Sequence, residues 1–143
     1  MLMIIFATAL VFIIILFCIL LAYSPGKIEQ YADEKGKPIP GSIAEKIHVN
    51  INGMEQGMII RSKDATHPVL LYLHGGLPDY FLTKKYPTGL EDYFTVVWWE
   101  RRGSGLSYNA NISPEAITLE QLLSDTKEVT NYLCKRFKKK KIY

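Results

Sequence analysis

PVLLYLHGG, residues 68–76, and YFTVVWWERRGSGLS, residues 93–107, decide the fold of this protein. Each opens on an unbroken apolar run and closes on glycine. An apolar run without alternation implies a strand covered on both faces, as in the middle of a parallel sheet flanked by helices. The glycines mark where each strand ends and the backbone turns sharply. In open α/β sheets the carboxyl ends of the strands are where ligands bind. His74-Gly75-Gly76 and Glu100-Arg101-Arg102-Gly103 are thereby the two loop ends at which chemistry is sought first.

Working outward, Lys46–Ile51 alternates, with Ile47, Val49 and Ile51 on one face, as a half-buried strand requires. Asn52-Gly53 is a strong hairpin signal, and Gly57–Arg61 reads as the return strand. Between the two quoted stretches, residues 79–91 suit a short helix interrupted by Pro87 and Gly89. Thr118–Phe137 is the best helix in the sequence. Thr118 and Gln121 make a capping box, and Leu119, Leu122, Thr126, Val129, Leu133 and Phe137 share one face. The cations from Lys135 to Lys141 sit where the helix dipole favours them. The order (hairpin, strand, helix, strand, helix, start of a strand) is that of the entry to a mainly parallel α/β sheet.

The sequence begins MLMIIFATALVFIIILFCILLA, residues 1–22, without a charge. About 20 apolar residues suffice to cross ~30 Å of hydrocarbon, so the reading is a transmembrane signal-anchor helix with the bilayer as its partner. The alternatives are a cleaved signal peptide, for which Ala22-Tyr23-Ser24 supplies a small-residue site before Pro25, and a buried helix, which would need a polar face. Lys27, Lys35 and Lys37 follow the segment and nothing basic precedes it, which leans a single-pass protein towards a cytoplasmic domain. Residues 23–42, rich in Gly, Pro and charge, read as a polar linker, and 43–143 as a partial α/β domain.

With 17 basic against 14 acidic residues, a net charge of +3 gives no footprint for nucleic acid. Cys18 and Cys134 lie in different segments and provide no disulfide framework. The three histidines, His48, His67 and His74, lack metal-ligand spacing, so neither a metal nor any other cofactor is expected. Arg102-Gly103-Ser104-Gly105 misses both phosphate-binding glycine patterns.

A strand ending in H-G-G, then W-W-E-R-R-G-S-G-L-S, then a capped helix resembles the α/β-hydrolase superfamily, nearest its proline-iminopeptidase-like branch. The hallmarks of that branch are H-G-G-P-G and D-Q-R-G-x-G-x-S. The resemblance covers the sequence from Ile43 to Tyr143. It implies an N-terminal half of an α/β-hydrolase sheet, preceded here by the transmembrane helix. It also implies an oxyanion hole from backbone N–H groups of Gly75, Gly76 and Leu77, with His74, Glu100, Arg102, Gly103, Gly105 and Ser107 bracing the loops beside it. The sequence departs from the pattern at two places. Leu77-Pro78-Asp79 stands where the family has Pro-Gly, and Pro78 has no N–H to donate; Glu100-Arg101 stands for Asp-Gln.

The resemblance also implies a nucleophile in a G-x-S-x-G elbow after the next strand, with an acid and a base later. No G-x-S-x-G occurs, and Ser104 lies in the wrong loop. The sequence ends at Lys141-Ile142-Tyr143, where the strand leading to the elbow would begin. The expectation is a fragment of a membrane-anchored serine hydrolase, acting when complete on an ester, amide or N-terminal peptide bond of a small-molecule or peptide substrate. No catalytic residue is expected within the 143 residues. The alternative is a catalytically dead, membrane-tethered interaction module; catalysis by this chain alone is the third reading. Without a further strand, 68–73 would be an exposed apolar edge, and marginal stability is expected.

Overall fold

In the computed structural model of the protein, the described residues are 2–23, with side chains from 6 to 22, then 28–75 and 88–143. Helix α1 covers Leu2–Tyr23. The expected transmembrane helix, and with it the single-pass membrane location, is corrected: among the described residues no helix is long and apolar enough to cross a membrane.

Four strands follow: β1 (Ile43–Ile51), β2 (Met54–Ser62), β3 (Val69–Leu73) and β4 (Thr95–Trp99). Asn52 and Gly53 join β1 to β2 with φ of 48° and 79°. Two positive φ values are what a two-residue hairpin turn of the right twist demands, and they set an antiparallel register from Ile51 opposite Met54 to Ile43 opposite Ser62. β2 then pairs antiparallel with β4, and β4 parallel with β3, giving the order β1-β2-β4-β3. The expected mainly parallel half-sheet of an α/β-hydrolase is thus corrected to a mixed four-stranded sheet. Among the described residues only the β3–β4 strand pair is parallel; β2 pairs antiparallel with β4, and the tight hairpin commits β1 and β2 to antiparallel pairing.

β4 occupies an interior position and is buried at every residue. Its side chains alternate between faces. Val97 and Trp99 join Ile51, Met58, Ile60 and Val69 under helix α2 (Leu119–Arg136), which contributes Val129 and Leu133. Val96 and Trp98 join Ile59 on the opposite face, where Ile28, Tyr72, Leu90, Phe94 and Leu106 partly cover them. β3 is less enclosed than its apolar run suggested: Val69 is buried, but Leu73 is 53% exposed. β3 lies at the end of the strand order, where a strand has a neighbour on one side only. Along its other edge Tyr143 makes one parallel rung, donating to the Val69 carbonyl at 2.9 Å and accepting from the Leu71 N–H at 2.8 Å.

α2 begins as its sequence suggests, with the Thr118 hydroxyl accepting the Gln121 N–H at 3.1 Å. The Gln121 side chain does not complete a capping box; it reaches Asp125 instead. The helix ends in paired bonds from Lys138 N–H to Lys135 and from Lys139 N–H to Cys134. This is a Schellman cap, closed by Lys138 at φ 52° where glycine is the usual residue. The short helix expected over 79–91 falls largely outside the described residues; a 3-10 turn at Leu90–Asp92 follows Gly89.

Candidate functional site

Because β3 and β4 run parallel side by side, their carboxyl ends bring His74 and Glu100 together. The His74 imidazole stacks on the Trp98 indole, with ring centres 5.8 Å apart and ring planes nearly parallel. Trp98 Nε1 donates to Glu100 Oε1 at 2.7 Å. The remaining carboxylate oxygen, Oε2, faces His74 Nε2 at 3.6 Å, and both side chains are buried. On its other side the imidazole meets the Gly75 carbonyl through Nδ1 at 2.6 Å. A carbonyl only accepts, so Nδ1 carries the proton. The Arg101 guanidinium donates to the same carbonyl. Gly75 is therefore gripped from both loops by its oxygen.

Glycine at 105 makes room for this pair. Its φ is 46°, and a Cβ there would run into the Glu100 carboxylate. Ser107 ties the loop to the sheet: its Oγ accepts the Gly57 N–H at 2.8 Å and donates to the Glu100 carbonyl. Gly103, at φ 79°, turns the backbone beneath Ile117.

Arg102 points elsewhere, into a second cluster centred on Asp125. Its Nε and terminal nitrogen meet the two carboxylate oxygens at 2.9 and 3.0 Å, the bidentate geometry that makes arginine–carboxylate pairs strong. Asn52, Gln56 and Gln121 each add an amide donor at 2.8 Å, and Gln56 in turn accepts the Trp99 indole N–H at 2.9 Å. Asp125 has no exposed surface. Burial pushes its carboxyl up, but the bonds from Arg102, Asn52, Gln56 and Gln121 outweigh that and hold it below the usual carboxylate range. One buried carboxylate thus fastens the hairpin turn, β2, the loop after β4 and α2 to each other.

Of the residues singled out from sequence, His74, Gly75, Glu100, Gly105 and Ser107 meet at one junction, whereas Arg102 and Gly103 serve the neighbouring one. Gly76 and Leu77 lie outside the described residues. Sequence reasoning missed Trp98, Gln56, Asn52 and Asp125. The available signal was an aspartate between Leu122 and Val129 on the inward stripe of α2, a place where a carboxylate must have partners. A cleft of about 350 Å³ opens between Arg101–Ser104 and the start of α2 at Ile117–Leu122.

Chemically this is a frame. Ser107 Oγ is buried and spent on Gly57 and Glu100, and Ser104 Oγ donates to the Arg101 carbonyl at 3.0 Å. His48 meets the Leu106 carbonyl at 3.2 Å. Nucleophilic catalysis needs a hydroxyl or thiol within reach of a base, and among the described residues no serine or cysteine is hydrogen-bonded to a histidine. Among the same residues no group of three His, Cys, Asp or Glu is placed to hold a metal ion.

No family model matches the sequence, and no solved structure matches it. The chain is similar to a protein of Bacillus subtilis (strain 168) named "Probable aminopeptidase YbaC", with 41% identity over 108 residues, which make up 74% of this chain and 34% of that protein. The chain thus spans about a third of the length of the curated relative it matches. The assignment to the α/β-hydrolase superfamily and its proline-iminopeptidase-like branch is corrected accordingly: the comparisons support likeness to a protein named as an aminopeptidase, and no family model stands behind the narrower label. The motifs behind that label are two short glycine turns, each departing from the pattern, and a turn of this kind fixes local backbone rather than chemistry.

Proposed function

We propose that this chain is part of a hydrolase of the aminopeptidase kind, and that it supplies the frame of the site rather than the groups that break the bond. The observation that carries the reading is the junction at the carboxyl ends of the parallel pair β3 and β4. There the Gly75 carbonyl is held by His74 and Arg101, at the end of an α/β sheet where ligands bind. The 41% identity to a protein named as an aminopeptidase supports the class of reaction. In this reading the N–H groups of Gly75, Gly76 and Leu77 are the candidate donors to a developing oxyanion. Preorganised backbone donors of this kind contribute about 3 kcal/mol each to transition-state stabilisation. His74, Glu100, Gly105 and Ser107 hold the loops; Arg102 and Gly103 hold α2 against them. The substrate in this reading carries a free amino terminus.

A chimera tests it. The matching third of the Bacillus relative is replaced by this protein's sequence, and hydrolysis of aminoacyl p-nitroanilides is compared with that of the unaltered relative. Retained turnover that falls on Glu100→Ala supports the reading. A folded chimera without turnover, beside an active parent, overturns it.

A further inference from the structure

The turn between β1 and β2 holds a chemically labile pair. In an Asn-Gly sequence the glycine nitrogen can attack Cγ of the asparagine amide, since glycine has no side chain to hinder the approach. Here both reacting groups are occupied. The Gly53 N–H donates to Asn50 Oδ1 at 3.1 Å. The Asn52 amide donates to Ser124 Oγ at 3.1 Å and to Asp125 Oδ1 at 2.8 Å. The two bonds from Asn52 exist only while the hairpin is docked on α2.

We propose that Asn52-Gly53 is a masked deamidation site, silent in the docked fold and reactive when the hairpin lifts, and that its conversion prevents the hairpin from docking again. In the step, the Gly53 backbone nitrogen gives its proton to solvent base and forms a bond to Asn52 Cγ. The bond from Asn52 Cγ to Nδ2 breaks and ammonia leaves, closing a five-membered succinimide. Water then opens either imide carbonyl, yielding aspartate or isoaspartate. Nothing is oxidised or reduced, and water is the sole co-reactant.

Both products replace an amide donor with a carboxylate at the point where Asp125 accepts. Asp125 is fully buried and is held as an anion by Arg102. Two carboxylates at hydrogen-bond distance repel, and one of them must take up a proton to remain. Isoaspartate also adds a main-chain atom to a two-residue turn whose φ values set the register of the whole β1–β2 ladder. The conversion therefore runs one way and releases α2 from the hairpin.

The 143-residue protein is incubated at mildly alkaline pH, folded or in urea, and conversion at Asn52 is followed by peptide mapping and mass spectrometry. Conversion is expected to be at least about tenfold slower when folded, the protection that closed structure gives. Asn50→Ala, which frees the Gly53 N–H, raises the folded-state rate. Asn52→Asp lowers the urea midpoint or abolishes folding, whereas Asn111→Asp, at an exposed loop position, leaves it unchanged. Equal rates in folded and unfolded protein would overturn the proposal, as would an Asn52→Asp variant as stable as the parent.

Discussion

His74 Nε2 and Glu100 Oε2 face each other at 3.6 Å in the interior, and among the described residues neither atom has a hydrogen-bond partner. Their separation is beyond a hydrogen bond but within the range of an ion pair. The pair forms where two strand ends lie side by side, so it reports directly on the β3–β4 junction. Truncating Glu100 leaves the buried Trp98 indole N–H without its acceptor, and truncating His74 takes the imidazole donor from the Gly75 carbonyl, each at a cost of about 1–3 kcal/mol. His74→Ala and Glu100→Ala should each lower stability in urea by about that amount. The double variant should lose clearly less than the sum, since the two residues share one interaction. Strict additivity would show that they do not interact.

Asp125 gives the fold a defined acid limit. Its folded-state carboxyl lies below the usual range, so the stability it contributes is complete above the unfolded value of about 3.9 and drains away as pH falls towards the folded value. Unfolding free energy should decline with acidification below about pH 4. In Asp125→Asn that decline should be shallower, on a baseline lowered by about 3 kcal/mol because Arg102 loses its partner. Urea titrations across this pH range check both statements. Parallel pH profiles would show that Asp125 does not set the acid limit.

Gly105 and Gly36 separate two reasons for glycine. Both have positive φ, but space is open around Gly36 and filled by the Glu100 carboxylate at Gly105. Gly36→Ala should cost about 1 kcal/mol, the conformational term alone. Gly105→Ala should cost appreciably more and quench or shift the emission of Trp98, whose indole is bonded to that carboxylate. Denaturation curves and fluorescence spectra of the two variants make the comparison.

Lys138 closes α2 in the left-handed region at φ 52°. A side chain there is strained by roughly 1 kcal/mol, which glycine avoids. Lys138→Gly should raise stability by up to about that amount, less the greater freedom glycine gives the unfolded state. The thermal midpoint reads the result.

How far the sequence carried this picture follows the range of the interactions. The Asn52-Gly53 hairpin, the capped helix from Thr118 and the strand to Trp99 were legible, because a turn pair, a cap and an apolar run are local signals. An apolar run does not by itself say whether a strand lies inside a sheet or at its edge, and β3 lies at the end of the strand order. The mixed strand order escaped notice because the pairing of β2 with β4 is a long-range choice that no local pattern records. At the site, His74 and Glu100 were singled out from their motifs, but Trp98 between them was not. Asp125, which gathers three partners from distant elements and one from its own helix, looked like one more polar residue on a helix. Residues 1–22 held an apolar run from which a membrane span was inferred, and the described helix does not sustain it.

The proposed function is a division of labour, in which this chain would frame a hydrolytic site and the nucleophile would come from another part of the enzyme. The direct measurement is hydrolysis of aminoacyl p-nitroanilides by the purified 143-residue protein, alone and mixed with a polypeptide comprising the remaining two-thirds of the Bacillus relative. The prediction is no turnover by the protein alone and restored turnover in the mixture, lost again with Glu100→Ala. Turnover by the protein alone that a single serine substitution abolishes would contradict it.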